Sequence, residues 1–137
     1  MNSGVTLAKL DPDAHEQRFR RLRRDLGVTS FGINLLVMEP GQRSRIHRHE
    51  HQEEVYLVIA GELTLLADGE HTLGVGDLAR VAPDIRRQLV NRGDTRLELL
   101  ALGGHGEHEG RDGRAYHSWD EQGEGHSPAD VPFPGDE

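Results

Sequence analysis

At 137 residues with no cysteine, the chain is long enough for one domain with a genuine core, and it excludes both a disulfide framework and a thiol nucleophile. Charged residues make up 29% of it, and no apolar run approaches the roughly 20 residues of a membrane span. Between Gly104 and Glu137 nine acidic residues face two arginines, so −7 of the formal net charge of −8 sits at that end. The remainder is nearly neutral, and a nucleic-acid surface, which needs a concentrated positive field, is not expected.

The opening stretch MNSGVTLAKLDPD lacks the basic and apolar regions of a signal peptide, so a cytoplasmic protein is expected. Asp13 is placed to cap a short helix over 14–26, and Gly27 to end it. Phe19, Leu22 and Leu26 give that helix one narrow apolar stripe. Its other faces carry Arg18, Arg20, Arg21, Arg23 and Arg24, which read as a solvated surface or as an arm reaching a second subunit. Residues 1–27 are therefore read as an N-terminal arm.

From Val28 the pattern changes. Val28 to Met38 reads as a strand, and Glu39-Pro40-Gly41-Gln42 as a type II turn. Arg43 to Arg48, Glu54 to Ala60, Glu62 to Asp68, His71 to Leu73, Leu78 to Ala82, Ile85 to Asn91 and Arg96 to Leu102 follow as short strands. Asp68-Gly69 is a hairpin signal, and Gly74-Val75-Gly76-Asp77 and Arg92-Gly93-Asp94-Thr95 are turns. Turn signals at such spacing indicate an all-β sandwich or barrel over 28–104. Ile33, Leu35, Tyr56, Val58, Leu89, Leu97 and Leu99 are expected to line it, with Val55, Leu57, Ile59, Leu100 and Leu102 on the other face. An apolar outer face calls for an arm or a second subunit, and a homodimer is the expected solution. Residues 105–137 are rich in Gly, His and acids and poor in aliphatics, the composition of a largely disordered, flexible tail. Tyr116 and Trp119 are the residues able to pin 114–120 to the barrel. His105, His108, His117 and His126 could bind metal adventitiously, but their irregular spacing among glycines favours solvated side chains.

The chemistry concentrates in Gly41 to Gly61, GQRSRIHRHEHQEEVYLVIAG. Side chains two apart on a strand share a face, so His47 and His49 converge on one point. Glu54 returns to that point if the chain turns at His51-Gln52. Two imidazoles and a carboxylate on neighbouring strands suit a divalent first-row metal. His51 lies in the turn and reads as a loop residue, and His71 reads as surface.

The spacing resembles the first conserved motif of the cupin superfamily, with Gly41, His47, His49, Glu54 and Gly61 at its fixed positions. The resemblance implies a small single-domain cupin, a jelly-roll β-barrel. It also implies a metal site at His47, His49 and Glu54 holding Fe, Mn, Zn or Ni. The resemblance also implies a homodimer, as in many single-domain cupins, in line with the expectation from the apolar outer face. The second motif, anchored on Gly76 and Asn91, departs from the family. Ala82 and Asp84 replace the usual Pro and Gly, and Arg87 stands where the fourth ligand His belongs. Arginine has no lone pair for a metal. Two functional readings follow. In the first, the metal serves an oxygenase-type or isomerase-type enzyme, or a binding protein, for a small anionic metabolite; Arg87 clamps the anion and Tyr56 presents a hydroxyl. In the second, Arg87 forms a bidentate pair with Glu54 in a metal-free binding or sensing cupin. Neither involves a membrane.

Overall fold

Alternating apolar residues and left-handed glycines cut the chain into short antiparallel strands. The computed structural model describes residues 4–11, 19–104 and 112–137. In chain order they form β1 (Phe19–Arg21), α1 (Leu22–Leu26), β2 (Gly32–Met38), β3 (Ile46–His49), β4 (Glu53–Ala60) and β5 (Leu63–Leu66). Then come β6 (Glu70–Leu73), β7 (Leu78–Val81), β8 (Gln88–Val90), β9 (Leu97–Gly104) and β10 (Gly113–Tyr116). One sheet runs β1-β2-β9-β4-β7. The other wall is assembled from the pair β10-β3 and the sheet β6-β5-β8, joined by backbone bridges from Arg43 to Val90 and from His47 to Arg87. Two facing antiparallel sheets make the expected jelly-roll barrel. Among the described residues no helix is long and apolar enough to cross a membrane.

The turns form where the sequence places them. Gly41 takes φ +88°, with the Gln42 N–H donating to the Glu39 carbonyl at 3.0 Å. Gly61 takes φ +78°, and a Cβ there would lie 2.4 Å from the Arg96 carbonyl oxygen, so close backbone approach as well as conformation demands glycine. Asn91 is fully buried. Its amide donates to the carbonyls of Met38 and Thr95 and its oxygen accepts from the Gly93 N–H, which ties the β8–β9 turn to the end of β2.

Tyr56, Val58, Leu63, Leu65, Leu89, Leu97 and Leu99 fill the interior. On β2, however, Met38 joins this core and Leu36 packs against it, whereas Leu35 and Val37 pack outside with Leu22, flanked by Ile33 and Leu100. Ile33 and Leu35 are thus corrected to the outer face. The run INLLVM is apolar on both sides of the strand and carries no period-2 signal for which side faces in.

Two terminal features also differ. The helix is one turn, Leu22–Leu26, closed by Gly27 at φ +73°. Phe19–Arg21 instead pair with Asn34–Leu36, since a ladder on β2 satisfies the backbone that an isolated short helix would satisfy only marginally. Asp13 and the rest of 12–18 lie outside the described residues. At the other end, residues 105–111, with His105 and His108, also lie outside them. From Asp112 the chain departs from the expected flexible tail. β10 pairs with β3, Gly113 opposite His49 and Tyr116 opposite Ile46, and Ala115, Tyr116 and Val131 are buried. The composition that reads as disorder hides three apolar anchors and a β-ladder.

Candidate metal centre

The site rises from β3, β4 and β8. His47 and His49 sit two apart on β3 and point to one side. The turn after them is held by Asp112, whose carboxylate accepts the backbone N–H groups of His51 and Gln52 at 2.8–3.1 Å. That turn returns the chain so that Glu54 faces the histidines. Its neighbour Glu53 faces out to Arg80 at 2.8 Å. Alternation alone decides between the two carboxylates.

Glu54 Oε1 lies 3.6 Å from His47 Nε2 and 3.3 Å from His49 Nε2. An ion bound about 2.0–2.2 Å from each of three ligands requires ligand atoms roughly 3.0–3.5 Å apart, so little adjustment separates this set from a coordination sphere. The three residues form one group of convergent donors. His47 Nδ1 is 3.1 Å from the Arg45 carbonyl, an arrangement that assigns the proton to Nδ1 and turns the Nε2 lone pair inward. Both ring nitrogens of His49 are buried without a hydrogen-bond partner. Nδ1 is nearest to Asp112, at 3.6 Å. A buried imidazole without hydrogen bonds is costly unless something else engages it. The residues present therefore fit a three-ligand metal.

Arg87 occupies the place of the missing fourth ligand. Its backbone exchanges hydrogen bonds with His47 at 2.8 and 2.9 Å, which sets the two residues opposite each other. Its side chain is fully buried. Nη1 donates to Glu54 Oε1 at 2.8 Å, while Nη2 donates to the Ala82 carbonyl at 2.6 Å and the Pro83 carbonyl at 3.3 Å. The pair with Glu54 is one-armed rather than bidentate. Arg87 is not among the residues lining the adjoining cavity, so it is not positioned as an anion clamp. Its contact is with the Glu54 carboxylate.

Tyr56 Oη donates to the same Glu54 oxygen at 2.5 Å. Burial, together with the nearby Glu54 charge, pushes the phenol well above its ordinary value despite Arg87, so Tyr56 stays protonated and serves as a donor, not a base. Burial alone would raise the Glu54 carboxyl. The imidazoles of His47 and His49 close beside it outweigh burial and hold it well below the usual carboxylate range.

The site opens onto a cavity of about 260 Å³ walled by Leu36, Met38, Leu89, Pro128 and Phe133. Arg45, the one guanidinium among the described lining residues, stacks over Phe133 at 4.0 Å. Arg45 escaped the sequence reading, although its position two before His47 puts it on the histidine face. Asp112 gave no sequence signal, being one acid among many. His51 lies in the turn, its Nδ1 3.0 Å from Asp112, and His71 is exposed.

A double-sheet β-barrel with two imidazoles and a carboxylate converging inside it defines a recognisable class of protein. Residues 34–103 match the family described as Cupin domain, and the chain belongs to that family. It is 33% identical over 75 residues to Protein SchB of Streptomyces halstedii, and spans only about half of that relative's length, 54%. Over 97 residues it is 35% identical to Beta-D-galactosidase Rv1717 of Mycobacterium tuberculosis (strain ATCC 25618 / H37Rv), covering 69% of this chain and 83% of that protein. Among solved structures it resembles a sugar phosphate isomerase of the cupin superfamily from Silicibacter pomeroyi DSS-3. The TM-score is 0.65 at 30% identity, over 81% of this chain and 83% of that one.

Proposed function

We propose that this chain is a metal-dependent cupin in which His47, His49 and Glu54 hold a divalent first-row ion beside a cavity for a small anionic metabolite. The observation that carries the reading is the convergence of the two Nε2 atoms on Glu54 Oε1, with the buried His49 ring lacking any hydrogen bond. When bound, Fe, Mn, Zn or Ni at such a site supplies a Lewis acid for a carbonyl or hydroxyl oxygen. The residues do the rest. Arg87 and Tyr56 hold Glu54 Oε1 in place, Arg45, held by the Val131 carbonyl and the Phe133 ring, lends positive charge to the cavity, and Leu36, Met38 and Leu89 keep that end apolar. Similarity to proteins described as a sugar phosphate isomerase and a galactosidase supports a phosphorylated sugar as the anion and isomerisation as the reaction, over oxygenase chemistry. A cytoplasmic homodimer is the working form.

One observation favours a second reading. Arg87 Nη1 sits 2.8 Å from Glu54 Oε1 and supplies a positive charge of its own, as a metal-free binding cupin requires. Elemental analysis and calorimetric titration of untagged protein with Mn²⁺, Zn²⁺ and Ni²⁺ separate the two. The metal reading expects about one equivalent at the barrel site, lost in His47→Ala and His49→Ala, together with turnover of aldose or ketose phosphates followed by NMR. Retention of full metal content in both variants, or tight sugar-phosphate binding by metal-stripped protein without turnover, favours the alternative.

A further inference from the structure

Beyond the barrel, the C-terminal segment brings a second donor set together. Ala115 and His126 exchange backbone hydrogen bonds at 2.8 Å in both directions, closing the intervening segment into a loop. Within it the rings of His117 and His126 lie 4.9 Å apart at 62°. Glu121 folds back beside them: Oε1 accepts the backbone N–H of His117 at 2.7 Å, and Oε2 lies 2.5 Å from His126 Nε2. The three residues each present a ligand atom within 4.8 Å of the others.

The loop is built, not loosely draped. Arg86 stacks on the Tyr116 ring at 3.7 Å and donates to the carbonyls of Glu121 at 2.6 Å and Trp119 at 3.3 Å. It thereby fixes the Glu121 backbone and leaves the carboxylate to the histidines. Tyr116 Oη donates to the Gly123 carbonyl at 2.9 Å, and a Cβ on Gly125 would lie 3.0 Å from both the Ala115 carbonyl and the Tyr116 ring. The chain crosses itself at close range there, which a random tail does not do.

We infer that His117, Glu121 and His126 form a second divalent-metal site, of the Zn²⁺, Ni²⁺ or Cu²⁺ class, that closes the loop following β10. Two imidazoles and one carboxylate satisfy such ions with water completing the sphere. His117 is exposed, so turning its ring toward the other two ligands meets little resistance. The loop ends just before Pro128 and Phe133, which wall the barrel cavity. The site shares no residue with the barrel site and stands whether or not that site is loaded.

Trp119, the only tryptophan in the chain, lies inside the loop and reports on it. Full-length untagged protein is titrated with Ni²⁺ while Trp119 fluorescence is followed. Quenching is expected to saturate near one equivalent, to be reversed by Zn²⁺, and to survive in both His47→Ala/His49→Ala and His105→Ala/His108→Ala. In His117→Ala/His126→Ala the apparent Kd should rise by about tenfold or more, and total Ni²⁺ by calorimetry should fall by one equivalent. Should the His47→Ala/His49→Ala protein fail to fold, the comparison of wild type with His117→Ala/His126→Ala decides alone. Quenching unchanged in His117→Ala/His126→Ala, abolished by His105→Ala/His108→Ala, or absent from the wild type overturns the assignment.

Discussion

Arg87 is where sequence and geometry bear hardest on each other. A unit positive charge about 5 Å from a dication is repelled by roughly 6–7 kcal/mol at an effective dielectric of 20. Here the guanidinium is spread over Glu54 and two carbonyls, so the carboxylate stands between it and the histidines. Arg87→His removes that charge and supplies the missing imidazole, and metal affinity by calorimetry should rise about tenfold or more. Arg87→Ala gains less, because it adds no ligand. In metal-free protein it also leaves Glu54 without its buried partner, at a cost of about 3–5 kcal/mol in urea melts. No gain for Arg87→His would weigh against a metal at His47, His49 and Glu54. The position of Arg87 could be read by counting from Gly76 and Asn91, but its engagement could not. Spacing reports which face a side chain takes and is silent on whether a long arginine reaches the cavity or the carboxylate behind it. Gly61 was fully readable, since motif, φ and close approach agree. Gly61→Ala should cost more than about 2 kcal/mol, because strained backbone and a 2.4 Å contact add. A melt within error of wild type would contradict that contact.

Among the elements, β10 shows where pattern reading runs out. Its four residues, GRAY, alternate weakly and sit among glycines and acids, so only its pairing with β3 identifies it. Asp112 leads into it and holds the β3–β4 turn, and hence the separation of His49 from Glu54. Burial would raise the Asp112 carboxyl, but the N–H groups of Gln52 and His51 outweigh burial and lower it below the ordinary 3.8. A carboxyl depressed in the folded state stabilises above its unfolded value, and that contribution is lost as pH falls through the folded one. Asp112→Asn should therefore cost about 1–3 kcal/mol at pH 7, with the gap to wild type narrowing below about pH 3.8. A pH-independent gap would mean that the carboxylate charge does not matter there. The same logic extends to the segment beyond. Truncation after Asp120 removes buried Val131, the Phe133 face under Arg45 and the Arg92–Glu137 ion pair. Burial of Val131 alone is worth about 1.5–3 kcal/mol. The melting temperature should fall by roughly 5–10 °C. An unchanged melt would restore the segment to the flexible tail that its composition describes.

At the scale of the whole molecule, the question is what covers the outside of the larger sheet. Cross-strand register lines up Leu35, Leu100, Leu57 and Leu78 in one row across β2, β9, β4 and β7. A second row places Ile33, Leu102 and Val55 beside it. Leu22 of α1 buries the Leu35 end. Nothing equivalent covers the other end among the described residues, where Leu78 is 66% exposed. Sheets solvated on one face ordinarily alternate apolar with polar, and β4 does not: Val55, Leu57 and Ile59 all face out opposite Tyr56 and Val58. A second copy offering the same face through a two-fold axis would bury both rows at once. Sedimentation at micromolar concentration should therefore show a dimer. Leu57→Glu, at the centre of the row, should yield folded monomer or a melting temperature lowered by several degrees. A wild-type monomer whose Leu57→Glu variant melts at the same temperature would mean that this face meets water as it is, and that the barrel stands without a partner.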